Sequence, residues 1–135
     1  MAGYSATPLW QKLGYKPDLE AFADGAPPEY VSLLNLPKEV KVRWLKKSKQ
    51  GVKWVHLFCR EMATLKKKLK QYRNQIAPEG VIWVSWPKKA SGVPTDITEN
   101  RVRDCALPLG LVDIKVCAVD EIWSGLKLMI RKTER

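Results

Sequence analysis

From Val40 to Trp44 apolar and charged residues alternate, with Val40, Val42 and Trp44 on one face and Lys41 and Arg43 on the other. A period of two predicts a strand with one covered face. Its charged face, followed by Lys46-Lys47-Ser48-Lys49, marks that strand as a sheet edge. Val52 to Phe58 is nearly continuous in apolar residues, broken by Lys53 and His56, and predicts a central strand covered on both sides. Met62, Leu65, Leu69, Tyr72 and Ile76 then follow spacings of three and four, the stripe of one amphipathic helix. Ala77-Pro78-Glu79-Gly80 stops that helix, and Val81 to Trp86 reads as a second central strand that ends at Pro87-Lys88-Lys89.

Earlier elements are shorter. Thr7-Pro8 with Gly14 and Pro17 brackets a helix over 8–13. Leu19 to Ala23 reads as a strand, Asp24-Gly25-Ala26-Pro27-Pro28 as a stiff turn, and Glu29 to Leu34 as a helix. Past the Pro87–Pro94 loop, Asp96 or Thr98 caps a helix containing Val102, Cys105, Ala106 and Leu109, ended by Pro108 and Gly110. Val112, Ile114, Val116 and Ala118 alternate with Asp113, Lys115 and Cys117. Leu126, Leu128 and Ile130 alternate with Lys127, Met129 and Arg131, which leaves Asp120 to Gly125 as a hairpin turn.

Strands joined by helices require right-handed crossovers and a mostly parallel sheet with helices on both faces. The expected fold is α/β: a three-layer, Rossmann-like sheet, mostly parallel, with a C-terminal antiparallel hairpin. One domain over 1–135 is expected, with 1–17 as an N-terminal strap or lid helix. The chain has 135 residues, 45% hydrophobic and 28% charged, enough apolar material for one core. No apolar run approaches the roughly 20 residues that span a bilayer, and Met1-Ala2-Gly3-Tyr4-Ser5 lacks the pattern of a signal peptide. A cytoplasmic protein without membrane partners is expected.

Ligands of such sheets bind beyond the carboxyl ends of the strands. That rule selects Gly25, Arg60, Trp86, Lys88, Lys89 and Ser91, with Trp123 brought to the same rim by the hairpin. Guanidinium and ammonium groups hold phosphate or carboxylate, and indole faces stack on planar groups. A net charge of +10 agrees with an anionic small molecule or nucleic acid as partner. A nucleic-acid interface would instead use Lys46, Lys47 and Lys49 with Lys66, Lys67, Lys70 and Arg73, residues whose plainer reading is a solvated face.

Other chemistry is thin. Cys59, Cys105 and Cys117 have no C-x-x-C spacing, and His56 is not placed to complete a metal site, so reduced thiols and no metal are expected. Arg60 would lower the Cys59 thiol pKa, but no base accompanies it. His56, three residues earlier in a strand, projects to the opposite face and reads as a satisfied core histidine. Asp120 and Glu121 point apart at a turn, and Asp96 with Glu99 suits helix capping. No catalytic residue is assigned.

The order of elements from Val52 to Lys132 resembles the later half of class I S-adenosylmethionine-dependent methyltransferases. Thr7-Pro8-Leu9 after Gly3-Tyr4-Ser5, Gly25-Ala26-Pro27-Pro28, Trp83-Val84-Ser85-Trp86-Pro87-Lys88-Lys89 and Gly110-Leu111-Val112-Asp113 resemble a bacterial domain-of-unknown-function family, number 3052. Val119-Asp120-Glu121 and Trp123-Ser124-Gly125-Leu126-Lys127 carry the same resemblance. The likeness to methyltransferases implies a glycine-rich loop after the first strand and an acidic residue for the ribose after the second. This chain has Gly25 with two prolines at the first place and Lys46-Lys47-Ser48 at the second. Prolines lack the N–H that a cofactor needs, and lysine accepts no hydroxyl proton.

The expectation is therefore a non-catalytic or degenerate methyltransferase-like domain that binds an anionic ligand or partner without a cofactor. S-adenosylmethionine is disfavoured. The alternatives are a nucleic-acid-associated protein and an S-adenosylmethionine-dependent enzyme with an atypical cofactor loop.

Overall fold

A computed structural model describes residues 7–135; the Gly3-Tyr4-Ser5 motif and the first part of the expected strap lie outside the described residues. Helix α1, Leu9–Leu13, starts after Pro8 and stops at Gly14, which takes φ +95° and donates its N–H to the Trp10 and Gln11 carbonyls. Strand β1, Glu20–Asp24, leads through the Gly25–Pro28 turn into α2, Tyr30–Leu34. The expected edge strand survives as β2, only Arg43–Trp44. Then follow β3, Trp54–Phe58, α3, Met62–Gln75, β4, Val81–Pro87, and α4, Glu99–Ala106. The antiparallel pair β5, Leu111–Ala118, and β6, Trp123–Ile130, completes the sheet.

The six strands run in the order β2-β1-β3-β4-β6-β5. β2, β1, β3 and β4 are mutually parallel, and β6 inserts antiparallel between β4 and β5. Every residue of β3 and β4 is buried, as continuous apolar runs require when helices cover both faces. One core lies under α3 and α4, where Val55, Leu57, Ile82, Val84, Leu126 and Leu128 meet the predicted α3 stripe of Met62, Leu65, Leu69, Tyr72 and Ile76. The other lies under α1 and α2, with Leu13, Tyr30 and Leu34 on Trp54, Phe58 and Trp83.

Two details depart from the pattern along the chain. In β5 the pairing slips between Asp113 and Lys115, and β5 is the last strand of the sheet, so Ile114 and Val116 stay 48% and 45% exposed while Cys117 is buried. The slip splits the expected aliphatic face, since Val112 pairs with Met129 on one side of the sheet and Val116 with Leu126 on the other. At the helix ends, Thr98 caps α4 by accepting from the Arg101 N–H, whereas Asp96 serves α3. Its carboxylate accepts the Met62 N–H at 2.8 Å from 34 residues away, where a negative charge also suits the helix dipole.

A buried chain of hydrogen bonds crosses the α1/α2 core. Tyr15 and Tyr30 share a hydrogen bond between their hydroxyls at 2.7 Å, Tyr30 reaches His56 Nδ1 at 2.6 Å, and His56 Nε2 reaches Ser85 Oγ at 2.7 Å. His56 is wholly buried, stacked on Phe58, and has both ring nitrogens partnered, as expected for a satisfied core histidine. Burial drives its pKa down to about 3, so it is neutral in the folded protein. At the carboxyl end of the parallel strands the β1–α2 turn presses on β3: Gly25 takes φ +72°, and a Cβ there would stand 2.6 Å from the Phe58 carbonyl oxygen. Only glycine meets both demands.

This packing sets two expected outcomes. Gly25→Ala should lower the free energy of unfolding by about 1–3 kcal/mol in urea titration, because it forces a left-handed alanine against a carbonyl. A proton adds to an unfolded histidine near pH 6.5 but to His56 only near pH 3, so its contribution to stability is complete above pH 6.5 and declines as pH falls toward 3. Wild type should lose melting temperature between pH 7 and pH 4, with a steeper slope than His56→Gln, whatever that variant's absolute stability.

Candidate functional site

Three parallel strands carry the predicted residues to one edge. Gly25 follows β1, Arg60 lies two residues beyond β3, and Lys88 follows β4. β6 begins on the same edge, since Trp123 pairs with Pro87 and the Ile122 carbonyl accepts the Lys88 N–H at 2.8 Å. Gly25, Arg60, Lys88, Lys89, Ser91 and Trp123 thus lie at the carboxyl rim.

Their side chains are not equivalent. Arg60 and Lys89 are exposed and Lys88 is partly so; among the described residues none of the three has an ion-pair partner. Ser91 is committed to the local backbone, where its hydroxyl donates to the Lys88 carbonyl and accepts the Val93 N–H, which winds the turn at Lys89–Ser91. Trp86 and Trp123 occupy opposite faces of the sheet. Trp86 is 5% exposed within the α3/α4 core, so the expected stacking face is covered. Trp123 is half-buried on the α1/α2 side, edge-on to Phe58 at 5.1 Å. The rim therefore joins three cations with one indole, not two.

A second arrangement beneath the rim has no counterpart in the sequence-based expectations. Asp24, the last residue of β1, takes both carboxylate oxygens to Lys68 Nζ, at 2.7 and 2.9 Å, and accepts the Tyr72 hydroxyl. Lys68 and Tyr72 are four apart on α3 and so share a face, which is the signal that could have set Lys68 apart from its solvated neighbours. Burial, then the hydrogen bond and charge of Asp24, raise the Tyr72 pKa and keep its phenol protonated. Cys59 lies close by. Burial, aided by Asp24, pushes its thiol up to about 12, which leaves no thiolate for nucleophilic attack near neutral pH. Among the described residues no group of three or more His, Cys, Asp or Glu is placed to hold a metal ion, and no helix is long and apolar enough to cross a membrane.

The seven cations of the alternative interface divide. Arg73 donates from Nε to the Leu109 carbonyl at 2.7 Å and closes the end of the α4 segment, and Lys49 pairs with Glu20 at 3.2 Å. Lys46, Lys47, Lys66, Lys67 and Lys70 have no ion pair among the described residues. The loop carrying the first two is fastened to the end of α3: Gly51 N–H donates to the Gln75 carbonyl, Gln50 to the Asn74 carbonyl and Ser48 to the Gln75 side chain.

A groove of about 1060 Å³ opens at the opposite, amino edge of the parallel strands. Its walls come from the α1–β1 link, the Ala77–Gly80 turn and the C-terminal end of the chain. No run of residues marks it in the sequence, because its lining is gathered from segments far apart.

No family model and no curated protein matches the chain. Solved structures do. A SAM-dependent methyltransferase from Aquifex aeolicus superposes with a TM-score of 0.60 at 12% identity, over 89% of this chain and 86% of that one. The ribosomal protein L11 methylase from Lactobacillus delbrueckii subsp. bulgaricus gives 0.57 at 8% identity, over 90% and 74%. LepI in complex with SAM gives 0.51 at 12% identity, where 93% of this chain spans 47% of the other. At these identities the likeness shows the fold: the chain has the Rossmann-like α/β fold of methyltransferases, as its order of elements implied.

Proposed function

We propose that this chain is a binding domain on a methyltransferase-like scaffold, which takes an anionic ligand or partner at the carboxyl rim. The observation that carries this reading is that Arg60, Lys88 and Lys89 sit on the edge where β6 begins at the half-buried Trp123, with no carboxylate of the described residues paired to them. Three cations held on one edge repel one another and are relieved by an anion, and the indole edge adds apolar surface. The sequence resemblance to a bacterial family of unknown function brings no activity with it.

S-adenosylmethionine fits these residues poorly. The loop that would cradle it is folded onto β3 at Gly25, too close to the Phe58 carbonyl to admit even a Cβ. Ala26 is followed by two prolines that offer no N–H, and Asp24 is already held by Lys68 and Tyr72. This supports binding without methyl transfer, although LepI, on the same fold, is in complex with that cofactor.

One observation favours nucleic acid as the partner class. The loop after Lys46 and Lys47 is bonded through Ser48, Gln50 and Gly51 to the last residues of α3, the helix that bears Lys66, Lys67 and Lys70. A row of unpaired lysines suits a phosphate backbone, with affinity that falls steeply as salt rises.

Thermal-shift measurements with nucleotides, S-adenosylmethionine and short oligonucleotides separate these readings, since a ligand of the native state raises its melting temperature. The rim predicts stabilisation by an anionic compound that disappears in Lys88→Ala/Lys89→Ala. If no anionic compound of the panel loses its stabilisation in that variant, the rim reading is refuted. Oligonucleotide binding lost in Lys66→Ala/Lys67→Ala/Lys70→Ala, but kept in the rim variant, would move the function to α3.

A further inference from the structure

The groove at the amino edge has the composition of a ligand site. Lys16, Arg43, Lys53, Lys127 and Arg135 line it, against the carboxylates Asp18, Glu20 and Glu79. Glu20 is already paired with Lys49, which leaves a clear excess of positive charge facing one concavity. Of these cations, Lys16, Arg43 and Lys53 are exposed and have no ion pair among the described residues.

The elements that gather these charges are fixed. Gly14 turns the chain out of α1 at φ +95°, and a Cβ there would stand 3.1 Å from the Trp54 ring, so the link carrying Lys16 starts directly against that indole. The Ala77–Gly80 turn is held by Ala77 N–H to the Val52 carbonyl and Gly80 N–H to the Ala77 carbonyl, both 2.8 Å. Arg135 is tied by Nε to the Ile130 carbonyl at 2.8 Å. Lys127 stands in β6 next to Lys115 across the strand pair, and burial with that neighbouring charge disfavours its ammonium form. An anion in the groove offsets that penalty.

Size and chemistry narrow the occupant. About 1060 Å³ is the scale of a nucleotide or cofactor site. A guanidinium fork and several ammonium groups suit a phosphate or diphosphate. Asp18 and Glu79 accept hydrogen bonds from hydroxyl or amino groups, which sugars and bases carry, but they would repel a phosphate strand running past them. Pro17, Pro78 and Met129 add apolar wall for the body of the molecule.

We propose that the amino-edge groove is a binding site for a nucleoside phosphate, with Arg43 and Lys53 on its phosphates and Asp18 and Glu79 facing its sugar or base. This site is separate from the carboxyl rim and lies at the other end of the same strands.

Adenosine diphosphate, titrated calorimetrically at low ionic strength, tests it. The expected result is saturable binding at one site per chain, weakened about tenfold or more in Arg43→Ala/Lys53→Ala and unchanged in Lys88→Ala/Lys89→Ala. Arg43 and Lys53 are exposed, and circular dichroism of the variant verifies that the fold is retained. Absence of binding by the wild type at millimolar nucleotide overturns the proposal, as does equal affinity in wild type and the Arg43/Lys53 variant. Loss of binding in the rim variant alone overturns it too, while leaving the rim reading intact.

Discussion

The hydrogen-bonded chain from Tyr15 through Tyr30 and His56 to Ser85 holds one half of this molecule to the other. Each link comes from a different element: the segment after α1, then α2, β3 and β4. All four side chains are buried, and in a low-dielectric interior an unmet hydroxyl or ring nitrogen costs about 1–3 kcal/mol. The segment after α1, α2 and the two central strands can therefore dock only in the one register that satisfies every member. Burial also keeps both tyrosines protonated and His56 neutral, so the chain is held by proton positions without any net charge.

That register governs both edges of the sheet. At the amino edge it seats the link after Gly14 on Trp54, where Trp83 Nε1 also donates to the Leu13 carbonyl at 2.9 Å, and so raises one wall of the groove. At the carboxyl edge the polar groups are mostly committed to the fold itself. Asp24 is taken by α3, Ser91 by its own turn, and Asp120 by the Ile122 and Trp123 N–H groups of the hairpin. What that rim leaves free is positive charge. The two edges thus differ in kind: one is a strip of cations, the other a concavity in which cations face carboxylates.

The fold was largely legible because its long elements obey single periods. The α3 stripe and the two fully buried strands are legible in the sequence, and the order of elements implied the sheet. Short or frayed elements were less legible: the predicted five-residue edge strand pairs over only two residues. The site was legible to the level of which loops meet, since carboxyl ends of parallel strands must lie together. Side-chain direction was not. Trp86 and Trp123 come from adjacent antiparallel strands, and which indoles share a face depends on a register that places Trp123 opposite Pro87 rather than Trp86. The Asp24–Lys68–Tyr72 cluster and the groove join residues remote in sequence, so local periodicity showed only that Lys68 and Tyr72 share a helix face, not what meets them.

Shared topology at 8–12% identity shows how little of this fold depends on chemistry. The sheet needs apolar runs of the right length and helices with one apolar stripe, and many sequences supply those. Activity rests on the loops between them, which the core constrains weakly. In this chain the loop after β1 shows the separation clearly. The same strand end that presents Gly25 also presents Asp24, a carboxylate at the place where an α/β fold usually meets its ligand, and both are turned inward, one against the Phe58 carbonyl and the other onto Lys68 and Tyr72. With the strand end closed in this way, what the fold leaves exposed at this rim is the positive charge of Arg60 and Lys89.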